Sequence, residues 1–253
     1  MTYCLSINTH EGLVLCSDSR TNAGFDNVST YSKMHTFCWK GNRFITILAS
    51  GNLATTQLII KKLRTDLENV TTPNLLTVDT IHAAAEYISN MSSNIQKMHS
   101  VRDGGNTSFE ATFIIAGQIG NQATESLLIY PQGNFICESN EHPYLQIGEI
   151  KYGKPILDRV ISRQTQLNRA ARCALVSMNS TIRSNLTVGH PVELLLYRRD
   201  SLGDGQYLYL PEDDSFAKSI SESWNQGLIN ALLGLPRFSW EEPSNTQQNN
   251  NPN

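Results

Sequence analysis

Residues 2–20 read TYCLSINTHEGLVLCSDSR. Residues 3–8 and 12–17 each form a short run rich in aliphatic, aromatic and small residues, and Thr9-His10-Glu11 joins them just before a glycine. The reading is a β-hairpin at the start of the chain. Such a hairpin carries Asp18-Ser19-Arg20 back toward Thr2, so groups far apart in sequence are expected close together in space. A second hairpin is predicted over residues 36–40 and 43–49, because Gly41-Asn42 places together the two residues that best tolerate positive φ.

The apolar period then changes. Leu53, Leu58, Ile59, Leu63 and Leu67 suit one helix face, and Val78, Ile81, Ala85, Ile88, Ile95 and Met98 suit another, with Thr71-Thr72-Pro73-Asn74 between them. A loop is expected at residues 102–106, followed by strands at 109–116, 126–130 and 134–137. Helices are predicted over 154–163 and 168–182, the second with Asn168 as its N-cap, then strands at 192–197 and 206–210. Phe216, Ile220, Trp224, Leu228, Ala231 and Leu235 mark a last helix with a wide apolar face, limited by Pro236. Grouped strands and grouped helices, without strict βαβ alternation, argue for an α+β fold in which helices cover antiparallel sheets. Residues 1–242 read as one domain. Residues 243–253 are almost wholly Asn, Gln, Ser, Thr and Pro and are expected to be a disordered tail, since they hold too little apolar area to offset the entropy of ordering.

Composition narrows the function classes. The 253-residue chain has a net charge of −3 and no basic face, which argues against nucleic acid as a partner. Its apolar runs are far shorter than the ~18 residues a membrane span requires, and its start lacks the pattern of an export signal. The five cysteines, Cys4, Cys16, Cys38, Cys137 and Cys173, are odd in number and contain no C-x-x-C. They fit reduced thiols in a cytoplasm better than a disulfide framework or a zinc site, and no metal or cofactor is expected.

The chemistry gathers at the first strand. Thr2 follows an initiator methionine that a small second residue allows to be trimmed, which would place a hydroxyl nucleophile and an α-amine on one residue. An α-amine with a pKa of roughly 7.7–8.0 can act as a base near neutral pH, whereas lysine at ~10.4 cannot without a shift. Asp18 could orient Lys33, and a fixed ammonium beside Thr2 would favour its deprotonated amine and a developing alkoxide. Ala49-Ser50-Gly51-Asn52 turns from a strand into a helix, and Gly51 could donate its backbone N–H to an oxyanion. Each group also has a plain structural reading: Asp18 as a turn residue, Arg20 as a surface ion-pair partner, Lys33 as a solvated lysine at a strand edge, Gly51 as the glycine of a tight turn.

Taken together, Thr2, Asp18-Ser19-Arg20, Lys33 and the Ala-Ser-Gly turn resemble the proteasome-type β subunits among the N-terminal nucleophile hydrolases. Longer blocks, DSRTNAG at 18–24, SGNLATTQ at 50–57, IGEIKYGKPILDR at 147–159 and SNLTVG at 184–189, resemble the bacterial proteasome homologues of the Anbu (ancestral β subunit) family. The similarity covers residues 1 to about 240. The resemblance implies a four-layer αββα sandwich of two antiparallel sheets between helix layers, and a homo-oligomer that is a ring or an open helical assembly. It implies Thr2 as nucleophile, its amine as base, Lys33 as the tuning cation, Asp18 as the partner of Lys33, Gly51 as oxyanion donor and Arg20 as support. Two accessory positions depart from the proteasome pattern, which has Gly-Ser-Gly near the nucleophile and Asp-x-x-Ser beyond it. Here Gly148-Glu149-Ile150 and Ser184-Asn185-Leu186-Thr187 stand instead, so Glu149, Ser184 and Thr187 are supporting candidates. A Glu149 carboxylate next to the amine would raise the amine's pKa. The expected function is a threonine-type peptidase or amide hydrolase acting on a peptide or amide substrate, with any unfoldase partner unspecified. A self-assembling scaffold with a weak site and a small-molecule amidase are the alternatives. The apolar faces over residues 53–67 and 78–98 are wide enough to cover a sheet and still leave area for a neighbouring subunit, so self-association is expected.

Overall fold

The computed structural model describes residues 2–22, 28–102 and 108–241. The expected loop at 102–106, apart from its first residue, and the expected tail at 243–253 fall outside them.

The opening hairpin is β1 (Tyr3–Thr9) and β2 (Gly12–Asp18), with Cys4 opposite Ser17 and Thr9 opposite Gly12. Two short strands, β3 (Arg20–Asn22) and β4 (Val28–Thr30), pair with each other beyond it. The second hairpin is β5 (Met34–Trp39) and β6 (Arg43–Gly51). Helices α1 (Leu53–Glu68) and α2 (Ile81–Arg102) follow, then β7 (Ala111–Ile119), β8 (Glu125–Ile129), β9 (Phe135–Cys137) and β10 (Tyr144–Gly148). The chain continues through α3 (Lys154–Val160), α4 (Leu167–Ser184), β11 (Val192–Arg198), β12 (Gln206–Leu210) and α5 (Ser215–Leu233).

The strands make two antiparallel five-stranded sheets, ordered β10-β1-β2-β11-β12 and β5-β6-β7-β8-β9. Alternation along β1 and β2 sends Leu5, Ile7, Val14 and Cys16 onto α4, while Cys4, Leu13 and Leu15 meet Phe44, Leu48 and Ile114 of the other sheet. The far face of that second sheet, with Ile45, Ile47, Phe113 and Ile115, packs on Ile59 and Leu63 of α1 and Ala85 and Ile88 of α2. The α+β class and the layer order helix, sheet, sheet, helix are therefore both present. Because the central strands are covered on both faces, every residue of β1 and β2 is buried.

Several local expectations need correction. The buried stripe of α1 is Thr55, Thr56, Ile59, Ile60 and Leu63; Leu58 is exposed, as is Met98 on α2. The buried stripes of α1 and α2 pack on the sheet. Helix α4 starts at Leu167 with Gln166 as its N-cap, so Asn168 lies inside the first turn. β10 was not foreseen, because its five residues follow a polar stretch, nor were the three-residue strands β3 and β4. Helix α5 forms, capped by Asp214, whose side chain accepts from Ala217 N at 2.8 Å, but none of its residues is buried. Among the described residues no helix is long and apolar enough to cross a membrane.

Candidate active site

The register of β1 builds the site. Tyr3 lies opposite Gly148 of β10, and Thr2, just ahead of β1, accepts a hydrogen bond on its carbonyl from Glu149 N at 2.7 Å. A Cβ on Gly148 would overlap the Thr2 carbonyl, and its φ of +84° lies in the region that favours glycine. Gly148 is thus what lets the chain pass so close to Thr2.

On the other side, the β1/β2 pairing brings Asp18 under the start of β1. Its Oδ1 accepts from Tyr3 N at 2.9 Å and from Lys33 Nζ at 2.7 Å, and its Oδ2 accepts from Gly189 N at 3.2 Å. Lys33 stands one residue before β5, donates also to the Arg20 carbonyl at 2.6 Å and is only 7% exposed. It is a buried, oriented ammonium and not a solvated edge lysine. Asp18 is fully buried. Burial pushes its carboxyl above the ordinary value, and the Lys33 charge and hydrogen bond, with the two backbone N–H groups, push back.

β6 supplies the third wall. It ends at Gly51, φ +111°, where a Cβ would overlap the Glu110 carbonyl. Asn52 then caps α1, its Oδ1 accepting from Thr55 N at 3.2 Å. Thr2, Lys33, Gly51 and Gly148 line one cleft of about 310 Å³ with Thr21, Ser50, Leu53 and Thr56. Among the described residues, the lining apart from the Lys33 ammonium is uncharged and small to medium in size.

The remaining predicted residues are placed differently. Arg20 lies behind the cleft, its guanidinium packed over Gly189 and donating to the Leu186 carbonyl at 3.0 Å, while its own carbonyl holds Lys33. Glu149 reaches Thr2 only by its backbone N–H; its side chain accepts from Asn185 Nδ2 at 3.1 Å. Thr187 bonds the same Asn185 through both its N–H and its hydroxyl, at 3.0 and 2.6 Å. Ser184 is exposed at the end of α4 and does not line the cleft.

Three features were not read from the sequence. Gly148 serves the site where Glu149 had been singled out, although a glycine closing the run Tyr144-Leu145-Gln146-Ile147 was a usable signal for a strand end with a close backbone approach. Tyr3, the residue after Thr2, is anchored by its hydroxyl, which pairs with Ser177 Oγ on α4 at 2.7 Å and accepts from Gln146 Nε2 at 2.5 Å, and burial raises its pKa. The third is Glu193 on β11, a buried carboxylate beside Ser17, Ser19 and Ser32. A lone glutamate in the apolar run of β11 carries no sequence signal for such surroundings.

No protein-family model matches the chain, and no curated protein does. Solved structures do. An Anbu (ancestral beta-subunit) protein from Yersinia bercovieri is 39% identical, with a TM-score of 0.88 over 94% of this chain and 99% of its own. The helical assembly of the Anbu complex from Pseudomonas aeruginosa provides a chain 41% identical, with a TM-score of 0.89 over 97% of this chain and all of that one. Anbu from Hyphomicrobium sp. strain MC1 is 34% identical, with a TM-score of 0.85 over 94% of this chain and 99% of its own.

Proposed function

The chain belongs to the Anbu family, and on that premise we propose that it is an N-terminal threonine hydrolase acting on peptide or other amide bonds inside a self-assembled oligomer. The observation that carries the reading is the cleft in which Thr2, Lys33 and Gly51 meet, with Asp18 fixed beneath. Removal of Met1 frees the Thr2 amine. That amine takes the proton from Thr2 Oγ as the oxygen attacks the substrate carbonyl. The Lys33 ammonium, held by Asp18 and the Arg20 carbonyl, lowers the proton affinity of the amine and stabilises the alkoxide as it forms. The Gly51 N–H is assigned to the oxyanion. Collapse of the tetrahedral adduct passes the proton to the leaving amine and leaves an ester on Thr2, which water then cleaves.

With its side chain bonded to Asn185, Glu149 is not assigned the role of proton shuttle. Apart from Lys33, the described lining of the cleft is uncharged, which favours small uncharged side chains next to the scissile bond. Self-association is assigned to the exposed face of α5 and the segment after it, where Leu228, Leu232, Leu235, Phe238 and Trp240 are all solvent-facing in the single chain. The buried stripes of α1 and α2 are covered by the sheet within the chain, which leaves α5 the larger exposed apolar face.

Intact mass of the purified protein, before and after treatment with a threonine-directed electrophile, tests the reading. Loss of Met1 and a single adduct on Thr2 are expected. Retention of Met1 in most molecules would remove the mechanism whatever the fold.

A further inference from the structure

Glu193 is 4% exposed and carries no ion-pair partner among the described residues. A carboxylate in such a place is costly unless its oxygens are fully served. Among the described residues four hydroxyls serve it. Oε1 accepts from Tyr207 OH at 2.6 Å and from Ser32 Oγ at 3.0 Å; Oε2 accepts from Ser32 Oγ at 2.9 Å, Ser19 Oγ at 3.3 Å and Ser17 Oγ at 3.4 Å.

The positions of those hydroxyls are not scattered. Ser17 and Ser19 flank Asp18 on both sides in the chain, and Ser32 immediately precedes Lys33. β11 runs antiparallel to β2 with Val192 opposite Asp18 and Glu193 opposite Ser17, so Glu193 shares the face of Leu195 and Tyr197, which enter the layer between the sheets. From that layer one side chain holds the neighbours of both members of the Lys33–Asp18 pair. Ser32 also bonds Met34, accepting from its N–H at 3.3 Å and contacting its carbonyl at 2.9 Å, which fixes the entry into β5 on the far side of Lys33. Tyr207 completes the shell from β12, the edge strand of the sheet, where its ring is half exposed.

We propose that Glu193 is a positioning residue for the nucleophile: its hydrogen bonds to Ser32, Ser17 and Ser19 fix the two chain segments that deliver Lys33 and Asp18 to Thr2. The catalytic consequence rests on the hydrolase reading above, while the geometric part stands on the hydrogen bonds alone. The requirement is for acceptors, since every group in the shell can donate a hydroxyl proton; serine and tyrosine hydroxyls can also turn to accept, so an amide in the same place keeps much of the clamp.

The test compares Ser32→Ala, Glu193→Ala and Glu193→Gln with the wild-type protein, reading the rate at which a β-lactone acylates Thr2 across a range of pH. Ser32→Ala and Glu193→Ala should each slow acylation about tenfold or more, and the pH at which the rate is half-maximal should move up, because a displaced Lys33 no longer lowers the proton affinity of the Thr2 amine. Glu193→Gln should recover most of the rate and the pH midpoint. Ser32→Ala removes a single hydroxyl and serves if Glu193→Ala does not fold. Wild-type rate and midpoint in Ser32→Ala overturn the proposal, as does a Gln variant no better than Ala. If the wild-type protein is not acylated at all, the hydrolase reading is what fails. The clamp is then judged from a crystal structure of Ser32→Ala, where a Lys33–Asp18 separation still at 2.7 Å overturns it and a lengthened one supports it.

Discussion

Replacing Lys33 by methionine keeps the length of the stem and deletes the charge, which makes it a clean probe of the site. In the native protein Lys33 Nζ and Asp18 Oδ1 are 2.7 Å apart, both almost wholly buried. Breaking a buried pair by removing one partner costs ~3–5 kcal/mol, because the other charge is left uncompensated. Asp18 keeps two backbone donors, Tyr3 N and Gly189 N, so the lower end applies, about 3 kcal/mol. For a domain of this size each kcal/mol is worth about 2–4 °C in Tm, and Lys33→Met should melt about 6–12 °C below wild type near neutral pH.

The deficit should depend on pH, with a definite sign. Burial raises the folded-state pKa of Asp18 above its unfolded value. Such a carboxyl binds more protons folded than unfolded, so its contribution to stability is greatest below the unfolded pKa and is lost as pH rises through the folded pKa. Removing Lys33 removes the largest opposing influence and moves the folded pKa higher still. On acidification toward about pH 4 the variant's Asp18 takes up a proton, and the deficit should shrink to that of a lost hydrogen bond, ~1 kcal/mol. Differential scanning calorimetry of both proteins from pH 4 to pH 8 reads the gap directly. Acylation of Thr2, measured alongside, should fall by about 10²–10³. A gap that is absent or does not change with pH would refute the account of a buried, mutually dependent pair. Wild-type acylation in a folded Lys33→Met protein would return Lys33 to a purely structural role.

Gly148→Ala should fold, with a loss of about 1–3 kcal/mol from the left-handed backbone, but should acylate at Thr2 at least tenfold more slowly, since the new methyl overlaps the Thr2 carbonyl; unchanged acylation would show that Thr2 has room to move. His35 is held with its pKa lowered to about 4, by burial first and Arg64 second, so the stability it contributes is full above the unfolded value of about 6.5 and is lost as pH falls toward the folded one. His35→Gln should therefore lose less stability than wild type between those limits in urea titrations, and identical acid sensitivity would count against the assignment. Leu228→Lys combined with Leu232→Lys should lower the mass seen by light scattering toward that of one chain, 28.2 kDa, without unfolding it, because no residue of α5 is buried in the monomer; an unchanged mass would place the interface elsewhere.

How much of this was legible in the sequence depends on how local the cause is. The opening hairpin was readable because its turn and both strands lie within residues 3–18, and the β2 end at Asp18 then followed. α1 and α2 were found by period, yet period alone misplaced Leu58 and Met98 on the buried side: a helix against a twisted sheet buries a stripe set by the sheet, and Ile60 won the place given to Leu58. The face of α5 was legible as apolar but its exposure was not, since hydrophobicity records that a surface avoids water but not whose surface covers it.

At the site, the residues that touch by chain proximity or belong to long similar blocks were within reach, namely Thr2, Asp18, Lys33 and Gly51, and the cleft gathers Thr2, Lys33 and Gly51. What escaped is contributed by backbone or by distant strands. Glu149 was singled out for its carboxylate, whereas its N–H and the missing side chain of Gly148 are what meet Thr2. Glu193 lies 176 residues from Ser17 and 161 from Ser32; the β2/β11 register brings it to Ser17, and the packing of the other sheet, whose strand β5 follows Ser32, brings it to Ser32. A carboxylate surrounded by serines that neighbour Asp18 and Lys33 looks, in sequence, like a polar interruption in a buried strand. The donor set argues for more than satisfaction of a polar interruption, for which any nearby backbone donors would do: among the described residues the donors are all side chains, three of them adjacent in the chain to Asp18 or Lys33.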